Sequence, residues 1–193
     1  MTLFTKLIDL IYPPRCHICQ TFRQKDSNNT GQICQTCLDE FTEIKSPLCP
    51  VCRRPFDSIS EEDHLCEDCL RKRPSYDALG APYLYEGKIM DGVHQLKYSG
   101  KKQLADSLGM LLGSFSLSWL PESAEGIIMP VPLHPKKLRQ RKFNQSLLLA
   151  RSIKPYLEME LDYLSLRRTR HTQPQTGLKK DERRKNVRKA FEL

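Results

Sequence analysis

The sequence lacks the marks of a membrane or secreted protein. No stretch approaches the roughly 18 consecutive apolar residues that a membrane-spanning helix needs. Residues 1–15 also lack the basic start and long apolar run of a secretory signal peptide. Only 39% of the 193 residues are hydrophobic and 8% are aromatic, which leaves room for one ordinary domain with a modest core plus a small module. We therefore predict a cytoplasmic protein.

Acidic residues are scarce in the last third of the chain. Residues 1–133 carry 14 basic and 17 acidic side chains, whereas residues 134–193 carry 17 basic and 6 acidic ones, which gives net charges of −3 and +11. Such an asymmetry indicates a polyanionic partner for the second half, either nucleic acid or a phosphorylated small molecule. The alternative is a solvated, partly disordered tail.

Cysteine, in contrast, is abundant, and it falls into four Cys-x-x-Cys knuckles. In a reducing compartment such pairs bind metal more often than they form disulfides. Two thiolates separated by two residues can face one ion, and two such pairs complete a tetrahedral sulfur shell that favours zinc or an iron–sulfur cluster. The predicted ligands of two structural zinc ions are Cys16, Cys19, Cys34, Cys37, Cys49, Cys52, Cys66 and Cys69.

The spacing leaves the pairing of the knuckles open. Sequential pairing places the first two knuckles on one ion and the last two on the other, while cross-braced pairing joins the first knuckle to the third. His17 and His64 lie near knuckles but are surplus to two complete shells. A module this small has too little apolar content to fold alone, so metal binding must supply much of its folding free energy.

Strands and helices alternate after the cysteine module, which predicts an α/β architecture. Periodicity predicts a short amphipathic helix at 2–12 and helices at 88–98, 102–120 and 143–160, the last broken near Pro155. Strand-like composition is found at 78–85, 126–131 and 161–166. We divide the chain into a zinc module at 1–73 and an α/β domain at 74–193.

Residues 129–150 predict an anion site. An apolar strand ends at Pro130-Val131-Pro132, a basic loop follows, and a helix begins near Asn144. The loop supplies cationic donors and the helix end supplies free amides. For Asn144 and Ser146, helix capping is an equal alternative to ligand contact.

The chain resembles the ComF family of phosphoribosyltransferase-like proteins, which have a role in competence for natural transformation. The resemblance rests on LIDLIYPPRCHIC (7–19), the four knuckles, HQLKYSGKK (94–102), PVPLHPKKLRQRKFNQS (130–146) and TRHTQPQTGLKKDERRKNVRKAFEL (169–193). It implies an N-terminal double zinc ribbon followed by a type I phosphoribosyltransferase-like (Rossmann-like) domain. It also implies the handling of incoming single-stranded DNA on the cytoplasmic side, with other DNA-uptake proteins as partners and the inner face of the membrane as an alternative location.

The basic loop and the motifs that match the family define the candidate binding residues. They include the R-x-F-N-Q, L-K-Y-x-G-R/K and mobile-loop motifs, with Lys142 standing where the family usually has glycine. The candidates for binding an anion, a phosphate or DNA are Lys97, Tyr98, Lys101, Lys136, Lys137, Arg139, Arg141, Asn144, Gln145, Gln175, Arg183 and Asn186.

One element that the family's chemistry needs is absent from the 193 residues. Phosphoribosyl transfer requires a strand that ends in two acids and a Thr/Gly-rich phosphate loop, which the family places shortly after the position of Phe191; the sequence has no Asp-Asp pair and no Thr-Thr-Gly. We expect an incomplete sheet, an exposed edge and no catalysis, with magnesium relevant only if a sugar-diphosphate site survives. A phosphoribosyl pyrophosphate or pyrophosphate binder, and a zinc-ribbon interaction module, are the alternatives to a DNA-handling protein.

Overall fold

The computed structural model describes residues 12–23, 32–57 and 62–193. The helix predicted at 2–12 lies outside this range except for its last residue. Seven helices occur in the described segments. They are α1 (Gln35–Asp39), α2 (Glu67–Arg71), α3 (Gly87–Tyr98), α4 (Leu104–Trp119), α5 (Pro135–Arg141), α6 (Gln145–Ile153) and α7 (Lys180–Val187).

The long helices lie where the apolar periodicity predicted them. α3 and α4 confirm the helices expected at 88–98 and 102–120, and α4 buries one face that includes Leu104 and Leu108. α6 ends at Ile153 and a 3-10 turn, Lys154–Tyr156, follows, so the helix predicted at 143–160 is shorter than expected. Because proline has no amide hydrogen, Pro155 cannot donate a helical hydrogen bond, and the α-helix gives way to the 3-10 turn at this point.

α4 and α6 pack closely because two glycines of α4 face the second helix. A Cβ atom at Gly109 would collide with Ser152, and one at Gly113 would collide with the ring of Tyr156. The absence of side chains at these two positions lets α4 approach both α6 and the 3-10 turn that follows it.

The strands are shorter than the composition predicted. β1 (Ile127–Ile128) pairs in parallel with β2 (Glu160–Leu161), and β3 (Arg167–Arg168) pairs antiparallel with β4 (Phe191–Glu192). The prediction of a strand over 161–166 was wrong: β2 ends at Leu161, and Asp162 then accepts hydrogen bonds from the amides of Leu164 and Ser165, which turns the chain.

The strand predicted at 78–85 was also wrong. This segment is extended, but it forms an isolated bridge between Tyr83 and Glu43, flanked by two backbone hydrogen bonds to residues 42–44. A β-favouring composition does not make a strand where the partner segment offers so short a stretch of backbone.

The basic loop predicted before α6 is partly helical, which corrects that expectation. Pro135 occupies the first turn of α5, and the Nδ1 atom of His134 accepts a hydrogen bond from the amide of Lys136, 3.2 Å away. Proline is favoured at the first helical position, and the cap satisfies an otherwise free amide. The helix ends at Lys142, which has φ +67°, a left-handed conformation that glycine adopts without strain.

The two predicted zinc ribbons, built around the cysteines at 16–37 and at 49–69, have different surroundings. Ile18, Ile33 and Phe41 of the first ribbon belong to one apolar core together with Leu96 of α3 and Leu104 of α4. The second ribbon has a small core of its own, formed by Cys49, Val51, Cys66 and Cys69. The first ribbon is therefore part of the main core, whereas the second packs mainly on itself.

Candidate functional site

The eight cysteines form two clusters that resolve the pairing left open by the sequence. Cys16, Cys19, Cys34 and Cys37 form one cluster, and Cys49, Cys52, Cys66 and Cys69 form the other; within each, the sulfur atoms lie within 4.8 Å of one another. The pairing is therefore sequential.

The sulfur spacing fits tetrahedral zinc. The Sγ atoms are 3.9 Å apart between Cys16 and Cys37, and 3.6 Å apart between Cys19 and Cys34. Tetrahedral coordination with Zn–S bonds of about 2.3 Å requires sulfur atoms about 3.8 Å apart. The four thiolates complete the shell and leave no position for a substrate, so both zinc sites are structural.

Both centres are built from the same local unit. In the first knuckle of each, the amide of the leading cysteine (Cys16 or Cys49) donates to the carbonyl five residues later, at 2.9 Å in both cases. The residue after the knuckle, Gln20 or Arg53, adopts a left-handed conformation with φ +65° or +55°. In the second knuckle of each, the leading cysteine is the N-cap of a short helix, α1 or α2.

One thiol of each centre has a lowered pKa. The hydroxyl of Thr21, 3.2 Å from the Sγ of Cys19, lowers the pKa of Cys19 to about 6, whereas burial raises the pKa of Cys37. Burial also raises the pKa of Cys49, but donation from three backbone amides outweighs it and brings that pKa down to about 6. A lowered pKa favours the thiolate, which is the form of sulfur that binds metal.

Neither histidine near the knuckles belongs to a metal cluster of the described residues. His17 is half-buried, and burial followed by the charge of Lys101 lowers its pKa. The ring of His64 stacks on Phe56 with the ring centroids 4.0 Å apart.

A basic cavity of about 580 Å³ is the main candidate binding site of the second half. Four separate segments meet there: the end of α3, the start and body of α5, β3, and the loop at 171–176. Its cations are Lys97, Lys137, Arg141 and Arg168, and no carboxylate lines it in the described part of the chain. We use the name basic cavity for this site below.

The cavity disfavours further positive charge. Burial, followed by the charge of Arg141, lowers the pKa of Lys97. Burial also lowers the pKa of His134, as do His171, with its ring centroid 5.2 Å away, and the cations on neighbouring segments. An anion in the cavity would relieve this repulsion, so the arrangement is suited to phosphate or another polyanion.

The structure brings together five of the twelve candidate binding residues. Lys97, Tyr98, Lys137, Arg141 and Gln175 all line the basic cavity, although they come from three motifs spread over 79 positions of the sequence. This grouping could not be read from spacing along the chain.

The R-x-F-N-Q motif is divided between binding and support. Arg141 lines the cavity and donates from Nη1 to the Oε1 of Gln145, at 2.7 Å. Asn144 caps α6 by accepting from the amide of Ser146 at 3.0 Å, and its Nδ2 donates to the carbonyl of Val131 at 3.1 Å. The capping alternative is the one that the structure shows for Asn144.

The mobile-loop motif holds one wall of the cavity. Asn186 of α7 donates from Nδ2 to the carbonyl of Gln173, at 2.9 Å, and Arg183 donates from Nε to the carbonyl of Leu178, at 2.8 Å. Neither side chain lines the cavity, whereas Gln175, which lies on the loop between the two acceptor residues, does.

Three further candidates also lie outside the cavity. Lys101 donates from Nζ to the Oε1 of Gln95, at 2.6 Å, and to the carbonyl of His17, at 3.3 Å, and so joins α3 to the first ribbon. Lys136 and Arg139 are exposed on α5.

Sequence reasoning missed an aromatic feature beside the cavity. The rings of Tyr85, His94 and Tyr98 follow one another on the outer side of α3, with centroids 6.1 Å and 5.7 Å apart. The spacing of His94 and Tyr98, four positions apart on a helix, was the signal that could have revealed part of it.

Comparisons with known proteins agree with the zinc module. Residues 7–70 match the double zinc ribbon domain. The chain is 30% identical to the DNA utilization protein YhgH of Escherichia coli (strain K12) over 190 residues, which cover 95% of this chain and 79% of the relative. It is 26% identical to Competence protein F of Haemophilus influenzae over 178 residues, covering 83% and 76% respectively. The chain belongs to the ComF family.

Another ComF relative is more distant. Competence protein ComFC of Bacillus subtilis is 24% identical over 125 residues, which cover 62% of this chain and 50% of that protein. No solved structure matches the chain. Among the described residues, no helix is both long and apolar enough to cross a membrane.

Proposed function

We propose that this ComF protein handles incoming single-stranded DNA during DNA uptake, and that it binds the strand at the basic cavity without acting as an enzyme. The observation that carries the proposal is the meeting of four cations from three segments, α3, α5 and β3, in a cavity that no carboxylate of the described residues lines. The names of the relatives, which refer to competence and DNA utilization, support it. The proposed place of action is the cytoplasmic side, including the inner face of the membrane.

The proposed architecture is a zinc module at 1–73 and a phosphoribosyltransferase-like domain at 74–193. The parallel pairing of β1 with β2 supports an α/β domain of this kind. Parallel strands need a long crossover, and here the chain between them contains α5 and α6. In the proposed division of roles, the zinc ions hold the fold and the basic cavity holds the ligand.

The binding would be electrostatic in origin. Phosphates that replace counterions at Lys97, Lys137, Arg141 and Arg168 would release those counterions, so affinity should fall steeply with salt. For single strands, the slope of log K against log salt is about −0.7 per phosphate contacted. Three to four contacts would then give a slope of about −2 to −3.

A salt titration of a fluorescently labelled single-stranded oligonucleotide tests this proposal. The Lys137→Ala variant should weaken binding and reduce the slope by about 0.7. Lys154→Ala is a matched control, because it removes the same charge from the exposed far end of α6, about 13 Å or more along the helix from the cavity. Absence of binding by the wild-type protein even at low salt would refute the proposal.

A second candidate function is the binding of a phosphorylated sugar or pyrophosphate at the same cavity. Its volume of about 580 Å³ lies within the range of small-molecule sites, which is about 300–1,000 Å³. Since the described lining offers no carboxylate, magnesium would arrive bound to the diphosphate and not be held by the protein. Calorimetry with phosphoribosyl pyrophosphate and magnesium tests this candidate, and a flat titration would exclude it.

A third candidate, a zinc-ribbon interaction module, has one observation in its favour. Near the second ribbon, Leu70, Tyr76 and Leu79 expose 67%, 44% and 47% of their surface. Other DNA-uptake proteins would be the partners of this surface. Replacing Leu70 with Ser should then remove a partner in a pull-down without changing DNA binding, and an unchanged set of partners would argue against it.

A further inference from the structure

The outer side of α3 carries an aromatic strip that the basic cavity alone does not explain. We define the aromatic strip as Tyr85, His94 and Tyr98. Tyr85 and Tyr98 expose 56% and 67% of their surface, and His94 is exposed as well. Large exposed rings are costly to leave in water, so three of them in sequence indicate a surface that is covered in use.

Cations accompany two of the rings. The guanidinium of Arg141 lies 5.2 Å from the ring centroid of Tyr98, and the ammonium of Lys97 lies 5.7 Å from that of Tyr85. These contacts hold the tyrosine rings in place and leave much of their surface open, as their exposure shows. The rings are therefore oriented before a ligand arrives.

The strip and the cavity form one continuous surface. Tyr98 belongs to the strip, and Lys97 and Arg141 contact rings of the strip. All three residues also line the basic cavity. A ligand that fills the cavity with phosphates would have its next units beside Tyr98, His94 and Tyr85 in that order.

The ring geometry fits an unstacked strand. Neighbouring rings are 5.7 Å and 6.1 Å apart and inclined at 84° and 49°, so they do not stack on one another. Stacked bases in a duplex strand rise by about 3.4 Å each, which is too short a step for one base per ring. An extended single strand can place one base on each ring, and every base has a face suitable for stacking.

We propose that the aromatic strip is the base-contacting part of a single-stranded DNA site of which the basic cavity is the phosphate-contacting part. This inference rests on the proposed function, since it assigns the strip to the same ligand. It names Tyr85 and Tyr98 as the stacking residues and predicts that bases, and not phosphates alone, contribute to affinity.

Two oligonucleotides of equal length and charge test the inference, one with normal bases and one abasic. Wild-type protein should bind the normal strand at least about fivefold more tightly, because stacking on one ring is worth about that much or more. Tyr98→Ala and Tyr85→Ala should each weaken binding of the normal strand by at least about fivefold. Tyr85→Ala, which lies outside the cavity lining, should leave binding of the abasic strand nearly unaffected. Neither variant should change the salt slope, since neither removes a cation.

Matched variants separate stacking from other effects. Tyr98→Phe and Tyr85→Phe keep the ring and should retain nearly wild-type affinity. Tyr163→Ala removes a half-exposed tyrosine that also faces an arginine, Arg151, at 5.9 Å, but lies outside the strip. Its affinity should stay near wild type, and a loss equal to that of Tyr98→Ala would overturn the inference.

Two results refute different parts of the argument. Equal affinity for normal and abasic strands, with no loss in the tyrosine variants, would overturn the inference and leave the electrostatic binding proposal intact. Failure to bind either strand at low salt would overturn both.

Discussion

Loss of the first zinc ion should destabilise the protein far more than loss of the second, although the two centres share one local geometry. Cys16 and Cys49 occupy equivalent positions and are both fully buried. We predict that Cys16→Ser unfolds the main core, whereas Cys49→Ser disorders the second ribbon alone and leaves the helices of the second half folded.

The expected magnitude follows from what the first ribbon buries. Ile18, Ile33 and Phe41 are 5%, 0% and 7% exposed and lie in the same core as α3 and α4. Burial of such a side chain contributes about 1.5–3 kcal/mol, so detaching these three residues costs about 5–9 kcal/mol. The net free energy of unfolding of a domain is about 5–15 kcal/mol, so this loss is comparable to the entire stability of the protein.

The second ribbon has fewer attachments to the rest of the chain. The amide of Leu79 donates to the carbonyl of Val51 at 2.8 Å, and the guanidinium of Arg53 lies 5.2 Å from the ring centroid of Phe115. The ion pair of Asp68 with Lys180, at 3.6 Å, joins exposed side chains and is worth little. Losing these contacts should lower the melting temperature without removing the cooperative transition.

Native mass spectrometry and far-UV circular dichroism measure the two effects on the same samples. Cys49→Ser should retain one zinc ion, most of the helical signal and a cooperative melt. Cys16→Ser should lose most of the helical signal at 25 °C. A Cys16→Ser protein that melts cooperatively with its helices intact would refute the reasoning, as would equal loss of structure in both variants.

Four single substitutions test other features of the fold. The lowered pKa of Lys97 means that its charge opposes folding at neutral pH. Because the unfolded state binds the proton more tightly, the free energy of unfolding rises with pH between the folded pKa and 10.5. Lys97→Gln should therefore raise the melting temperature at pH 7 while weakening anion binding. Gly113→Ala should destabilise the protein by about 1–3 kcal/mol in urea unfolding, since the new methyl group collides with Tyr156; an unchanged midpoint would contradict the close helix contact. Lys101→Met should lower stability by about 1–3 kcal/mol, because two part-buried acceptors lose their donor, yet leave DNA affinity unchanged in a binding titration; a selective loss of affinity would instead make it a binding residue. Lys142→Gly should raise the free energy of unfolding by up to about 1 kcal/mol in chemical denaturation by relieving a left-handed backbone, and a lowered value would show that the strain is not there.

The sequence predicted the zinc ligands and the long helices because both depend on short-range patterns. The knuckle spacing identified all eight ligands, and apolar residues three and four apart located α3 and α4. The pairing of the knuckles could not be predicted, because it depends on which segments meet in space.

The sequence failed to predict two features, α5 and the aromatic strip, because its local pattern marks them only weakly. α5 has a highly charged sequence without an apolar face of its own, so no periodicity marked it as a helix; its first-turn proline and the cap from His134 were the signals present. The aromatic strip was missed for a different reason: its three residues lie outside the basic half, and only the fold brings Tyr85 beside His94.

The two similar zinc centres can be compared with each other within one molecule. Both centres have four cysteine ligands, the same turn after the first knuckle and a short helix after the second, yet the first packs into the main core and the second into a small core of its own. Any difference in how fast the two sites exchange zinc, measured in one solution, would therefore report how much the surrounding core slows metal release.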